Sequence, residues 1–404
     1  MRGWGRSLVG LLSCAVLLAV AGPVQGAGAA TRATSCPTRE VHRIGGWLHT
    51  CRNEIVDSHH HLVRPISVAW YTMSHDAGRD PSLCQGPVPP SDHWFADLGT
   101  WGFNAVYLGI SWANVENKRP TTVNGRVTHH YDQAYLQMLD GVVNNFASHG
   151  VRVILVMGQN RWSSAFTKLT LPNGMKVPCG FGMPTWLYRS SSSLRNMVRA
   201  EKAFFKGDAR SNRLQGWFAR AWKTVAKRYA RNSSVIGAAI LHEAYDILAQ
   251  PYPGTRTLRP SRLKLARFYE RVGKAIHAGN RRLLIFVPDH LNWDTGRFAL
   301  TRKPRIAKEV YSFEFHAPNW RTSGRPRMAK YWKRAIGWHL PGWVEEFYAF
   351  LPTDESVQPS ANWAKNSLAF LHYAKRRHIG WSYGPAGRLP NNPKGLLETL
   401  QAGY

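Results

Sequence analysis

Residues 131–158, YDQAYLQMLDGVVNNFASHGVRVILVMG, join a helix to a buried strand, and this pairing decides the fold. Leu136, Leu139, Val143 and Phe146 recur at helical spacing, and Gly150 closes the helix as a C-terminal stop. VRVILVMG then runs apolar without alternation, the mark of a strand covered on both faces. A helix feeding such a strand is the repeating unit of a parallel sheet.

The unit recurs in both directions. Downstream, LQGWFARAWKTVAKRYARN puts Phe218, Ala221, Trp222, Val225 and Tyr229 on one helical face, ahead of the strand SVIGAAIL. Helices are predicted at RLKLARFYERVGKAIHAGN, RMAKYWKRAIGW and SANWAKNSLAFLHYAKRRH, and strands at RLLIFVPD, EVYSFEFH, GWVEEF and IGWSY. Upstream lie the strands ISVAW and FNAVYLGISW with the helix DHWFADLGTWG between them, and RNEIVDSHHHLV forms a short hairpin. Eight strands counted from ISVAW predict a closed α/β (β/α)8 barrel, and no GxGxxG loop follows the first strand to suggest an open doubly wound sheet. No Ser/Gly/Pro-rich linker divides the chain, so residues 66–404 are expected to form one catalytic barrel domain, preceded by an extension and hairpin at 31–65.

The N-terminus carries Arg2 and Arg6, an apolar run from Leu8 to Ala21 and small residues to Ala30. That order predicts a secretory signal peptide over 1–30, cleaved near Ala29 or Ala30, and a secreted protein. No later run reaches the 18 or so apolar residues of a membrane span. The chain has a formal charge of +29, and loss of Arg2 and Arg6 still leaves a strong positive field. Such a field attracts anionic surfaces. Basic residues are spread along the chain with no zinc-finger or RNA-binding signature, which speaks against nucleic acid. Beyond Cys14 in the signal core, four cysteines remain, and in an exported protein they predict two disulfides with three possible connectivities. Cys36–Cys51 and Cys84–Cys179 are the expected pairs. The second would clip two long insertions, roughly 72–92 and 158–210, that hang from one face of the barrel.

Chemistry in such a barrel sits where strands end. Glu243 ends the fourth strand and Glu346 the seventh, on nearly opposite sides of the mouth. Two carboxylates projecting into one cleft are the minimal apparatus for glycosidic hydrolysis, one donating a proton to the leaving oxygen and the other attacking the anomeric carbon or activating water. Trp112, Trp162, Trp186, Trp293, Trp320 and Trp381 fall at or beyond strand ends, where indole faces can stack on sugars. His59–His61 at the hairpin turn, and His129 and His130 before a helix, read as solvated positions; no metal or organic cofactor is implied.

In order, GFNAVYLGISWANVE, YDQAYLQMLDGVVNNFASHGVRVILVMGQN, GFGMPTWL, WFARAWKTVAKRYARNSSVIGAAILHEAYD, YSFEFH, WVEEF and IGWSY resemble the segments of glycoside hydrolase family 5, with its endoglycoceramidase branch the nearest likeness. The resemblance implies a retaining β-glycosidase acting on a β-linked glycan or glycolipid. Glu243 in HEA would be the acid/base and Glu346 in EEFY the nucleophile. Side chains alternate along a strand, so Glu345 is expected to face away from the barrel, toward helices or a basic partner.

Several positions depart from the family pattern. Its second-strand arginine is Tyr107 here, its third-strand histidine Gly158, its asparagine before the acid/base His242, its sixth-strand histidine and tyrosine Glu314 and His316, and its usual eighth-strand tryptophan Gly384. Tyr107, Trp112, Gln159, His242, Glu314, His316 and Trp381 are expected to contact substrate, with His242 replacing the asparagine as donor and Glu314 orienting His316. The competing reading is a barrel that has lost hydrolysis and binds a glycan or lipid.

Overall fold

The computed structural model describes residues 36–244 apart from positions 77, 79, 172, 173 and 175, and then 264–289, 298–316, 320–347, 362–384 and 400–401. The expected signal peptide and Trp293 lie outside the described residues. Eight parallel strands close a barrel in chain order: Ile66–Trp70, Ala105–Ile110, Arg152–Met157, Val235–Ala239, Leu284–Pro288, Glu309–Phe315, Gly342–Phe347 and Gly380–Tyr383. All eight fall on the strands predicted from sequence, as do the helices Asp92–Thr100, Gln133–Ser148, Ala209–Arg228, Leu265–Gly279, Arg325–Gly337 and Trp363–Lys375.

Local chemistry starts the helices where it should. Asp132 accepts a hydrogen bond from the Tyr135 amide at 3.0 Å, and Asp208 from the Ser211 amide at 2.8 Å, each satisfying a donor of a first turn. In the sixth strand Val310, Ser312 and Glu314 point into the barrel, while Tyr311, Phe313 and Phe315 pack against the helices. The barrel is thus filled by its own core, with Ala69, Tyr107, Ile154, Phe286 and Trp343 among its members.

The bottom of the barrel is closed by a four-stranded sheet of Glu40–Val41, His49–Cys51, Glu54–Val56 and Leu62–Val63, which adds Ile44, Leu48, Ile55 and Val63 to the interior core. Cys36 is bonded to Cys51 within this plug, and Cys84 to Cys179 across the two insertions at the opposite end. The insertions hold structure absent from the sequence reading: a helix at Leu194–Phe205 and a hairpin of Thr167–Thr170 with Lys176–Cys179. His129 and His130 end a strand, Arg126–His130, instead of preceding a helix as solvated residues, and His129 Nδ1 lies 2.6 Å from the buried Glu116 carboxylate.

Glu309 opens the sixth strand 2% exposed, with both carboxylate oxygens lacking a hydrogen-bond partner among the described residues. Burial pushes its pKa up to about 8 against Lys303, which pulls it down. The unfolded chain ionises near the ordinary value of 4.5, so the folded state holds this proton more tightly. The resulting stabilisation is fully present below that ordinary value and is lost as pH rises through about 8. Glu309→Gln removes the loss: urea unfolding should show the variant gaining on the native protein between about pH 5 and 8, with a slope difference of at most ~1.4 kcal/mol per pH unit. Parallel curves over that range would contradict this.

Candidate active site

The mouth carboxylates converge, and the seventh strand explains how. Its pairing with the sixth matches Phe313 to Val344 and Glu314 to Glu346, leaving Glu345 as an extra residue, and the pairing to the eighth strand is shifted in the same place. This is a β-bulge, which sets two successive residues on one side of a strand. Trp343 faces inward, Val344 and Phe347 face the helices, and both Glu345 and Glu346 turn inward. The expectation that Glu345 faces helices or a basic partner is therefore corrected: alternation fails at the bulge.

Glu346 is 8% exposed and accepts a hydrogen bond from the Tyr71 hydroxyl at 2.6 Å. Burial and the adjacent Glu346 charge push the Tyr71 pKa well above that of an ordinary phenol, so the hydroxyl stays a donor. Glu345 is fully buried one layer deeper, where the Tyr107 hydroxyl and the Ser312 hydroxyl each donate to its Oε2 at 3.2 Å. Tyr107 is raised by burial and by Glu345.

His242 stands between the carboxylates. Its Nε2 lies 3.7 Å from Glu314 Oε1 and 3.9 Å from Glu346 Oε2, its Nδ1 lies 4.0 Å from Glu345 Oε1, and its ring packs on Tyr71 with centroids 4.9 Å apart. Donor atoms of His242, Glu243 and Glu314 all lie within 4.8 Å of one another, so Glu243 and Glu346 both approach one imidazole. Glu243 is 5% exposed and holds a left-handed backbone, φ 42°. A non-glycine residue in that region is strained and clusters at functional sites.

The remaining predicted site residues have other duties. Gln159 donates its side-chain amide to the backbone carbonyls of His242 and Glu243 while its Oε1 accepts from the Trp162 amide, so it clamps the end of the fourth strand. Tyr107 belongs to the barrel interior beneath the mouth. His316 lies half-buried just past the sixth strand, its carbonyl accepting from Arg327 at 2.9 Å, and the carboxylate of Glu314 lies against His242. The stacking role expected of the tryptophans is corrected for most of them. Trp112 and Trp381 are fully buried in the layer between strands and helices, packed on Phe218 and on Phe103 with Phe347. Their positions in that layer leave no indole face for a sugar, and Trp162 and Trp320 are core residues as well. Trp186 is half-buried, its Nε1 donating to the Glu116 carbonyl at 2.9 Å.

Two features of the site escaped sequence reasoning. Tyr71 is the first residue past the first strand, the position that deserved the same scrutiny as the other strand ends. Gly384 makes room for Glu346, because a Cβ there would lie 2.5 Å from its Cγ and 2.7 Å from its Cδ. The missing eighth-strand tryptophan is the sequence signal for it.

A (β/α)8 barrel with two mouth carboxylates facing one pocket has the architecture of a glycoside hydrolase. The family model described as Cellulase (glycosyl hydrolase family 5) matches residues 66–387. The chain belongs to glycosyl hydrolase family 5, and it is a glycoside hydrolase. Among curated protein sequences none matches it significantly. It is similar to the solved structure of an endogalactoceramidase, with 18% identity and a TM-score of 0.67 over 89% of this chain and 78% of that one. It is also similar to endo-glycoceramidase II from Rhodococcus sp. in a ganglioside GM3 complex, with 20% identity and a TM-score of 0.61 over 87% and 81%. A trimodular GH5_4 subfamily endoglucanase gives 10% identity and a TM-score of 0.56 over 84% and 60%. At these identities the likeness is one of fold.

Gly384→Ala tests the fit around Glu346. The glycine sits outside the left-handed region, so alanine suits its backbone, yet the new methyl must push the carboxylate aside. Displacing a reacting group by an ångström costs on the order of 10²-fold, and kcat/KM should fall by about that factor while the melting temperature holds. Unchanged kcat/KM would show that Glu346 tolerates the shift.

Proposed function

We propose that this chain is an exported retaining β-glycosidase that cleaves a β-linked glycan or glycolipid by double displacement. The observation that carries the reading is the pair Glu243 and Glu346 flanking His242, with Tyr71 fixed on one oxygen of Glu346. Tyr71 donates to Oε2 and fixes the orientation of the Glu346 carboxylate, which attacks the anomeric carbon. Glu243 protonates the departing oxygen, and the glycosyl–Glu346 ester forms as the glycosidic bond breaks. Glu243, now ionised, takes a proton from water as that water attacks the anomeric carbon, and Glu346 leaves as carboxylate. His242 lies 3.7–4.0 Å from three carboxylates and is the side chain that meets them where residue 107 is a tyrosine instead of the family's arginine. Export is supported by the two disulfides, which persist in oxidising compartments.

A mechanism-based 2-fluoro glycoside should add one glycosyl mass to Glu346, and Glu346→Gln should abolish both labelling and turnover. A panel spanning aryl glycosides and glycosphingolipids identifies the substrate class. Failure to label across that panel, with glycan binding intact, would make the chain a binding barrel.

The glycolipid choice rests on the names of the similar structures and on a surface of the second insertion. In the second insertion Arg189, Arg199 and Arg210 border a hollow of about 670 Å³ floored by Phe166 and Tyr188. Exposed guanidinium groups around an aromatic floor suit an anionic headgroup or an acidic glycan. Turnover of a glycolipid in anionic vesicles should therefore fall as salt rises from about 0.01 to 1 M, where the screening length shrinks from about 30 to 3 Å. A soluble neutral aryl glycoside should show no such dependence; equal salt sensitivity of both would remove the surface-attraction reading.

A further inference from the structure

The hairpin turn that reads as solvated in the sequence holds a second, independent side-chain cluster at the closed end of the barrel. Asp57 is 1% exposed, and its Oδ1 accepts the amides of His59 and His61 at 2.9 Å each, which fixes the carboxylate in one orientation. Its Oδ2 then lies 3.8 Å from His59 Nδ1 and 3.5 Å from His61 Nδ1, and the three donor atoms all fall within 4.8 Å of one another. Ligands at about 2.0–2.2 Å around a tetrahedral ion stand a little over 3 Å apart, so a small inward movement makes this a three-donor set. His59 is 67% exposed on its side chain and free to make that movement.

The space between these donors is kept open by a glycine. A Cβ on Gly45 would lie 2.5 Å from His59 Nδ1 and 2.8 Å from Asp57 Oδ2, which is where an ion bound to both would have to sit. His60, between the two ligating histidines, has a left-handed backbone, φ 64°, and stacks on His49 with ring centroids 6.5 Å apart. The run of three histidines is therefore split by the fold into two that face Asp57 and one that packs on a neighbouring strand.

We propose that Asp57, His59 and His61 bind one borderline divalent cation, Zn²⁺ or Cu²⁺, through one carboxylate oxygen and two imidazole Nδ1 atoms. Two imidazoles and one carboxylate match the donor preference of these ions and leave a fourth position for water. The site is structural: it pins the turn at 57–61 in one conformation, at the edge of the sheet that plugs the barrel bottom. It joins the Cys36–Cys51 bond as a second fastening of the same plug.

The test uses the untagged chain stripped with chelator and titrated with Zn²⁺ alone, by equilibrium dialysis and by melting temperature. One equivalent should bind at micromolar or tighter affinity, and the melting temperature should rise. Asp57→Asn keeps an oxygen acceptor for the two amides but loses the anionic donor; it, His61→Ala and Gly45→Ala should each weaken binding more than about tenfold. Gly45→Ala is the sharpest arm, since it removes no ligand and only fills the hollow. His60→Ala should bind like the native chain. Loss of binding in His60→Ala equal to that in His61→Ala, or native affinity in Gly45→Ala, would reduce the site to a histidine-rich turn and overturn the proposal, as would no binding by the native chain.

Discussion

One extra residue in the seventh strand sets the chemistry of the mouth. With Trp343 inward and Val344 toward the helices, regular alternation would turn Glu345 inward and send Glu346 to the helices, where a buried carboxylate would need a cation. The bulge turns Glu346 inward above Glu345, and two carboxylates then occupy successive levels of one barrel. Everything around them answers the electrostatic problem this creates. Tyr107 and Ser312 donate to the lower carboxylate and Tyr71 to the upper, and His242 lies at 3.7–4.0 Å from three carboxylates. A hydrogen bond to a charged group contributes about 1.5–3 kcal/mol, so each hydroxyl donor favours the ionised form of the carboxylate it reaches.

That arrangement gives a physical account of the departures from the family pattern. With tyrosine at 107, the barrel interior gains a donor that reaches Glu345 and packs on Trp343 at 5.1 Å. The histidine that approaches these carboxylates comes from the fourth strand, as His242. Gly384 belongs to the same rearrangement, since Glu346 occupies volume that any larger side chain would claim. These substitutions form one repacked site instead of separate losses.

The barrel was legible because its signal is repeated. Eight apolar runs alternating with helical faces fix strand count, order and the face on which strand-end residues gather; His242 and Glu243 follow from that face, and the choice of Glu346 over Glu345 from the family likeness. What stayed hidden depends on tertiary register. A bulge leaves no mark in a six-residue strand such as GWVEEF, so the direction of Glu345 could not be read. Burial of Trp112 and Trp381 is decided by which side of a strand end each occupies, and a tryptophan at a rim has the same sequence signature whether it meets a sugar or a phenylalanine. Tyr71 was missed because a lone tyrosine after an apolar strand is ordinary in composition and meaningful only beside Glu346.

The second insertion is more than a cover over the mouth, because it helps hold Glu243 in a conformation its backbone resists. A non-glycine residue in the left-handed region costs about 1–3 kcal/mol and persists only when its surroundings over-determine it. Here the restraint is Gln159, whose amide grips the carbonyls of residues 242 and 243. Gln159 is itself seated on Gly182, φ 123°, where a Cβ would overlap the Gln159 side chain. Gly182 in turn donates its amide to Asp76 at 3.4 Å and accepts from the Ala113 amide at 2.9 Å, three residues beyond the cysteine that binds this loop to Cys84. The disulfide, the glycine and the glutamine form one mechanical series ending at Glu243. A loop outside the barrel therefore contributes to the site through backbone position, a role that no motif at the strand ends records.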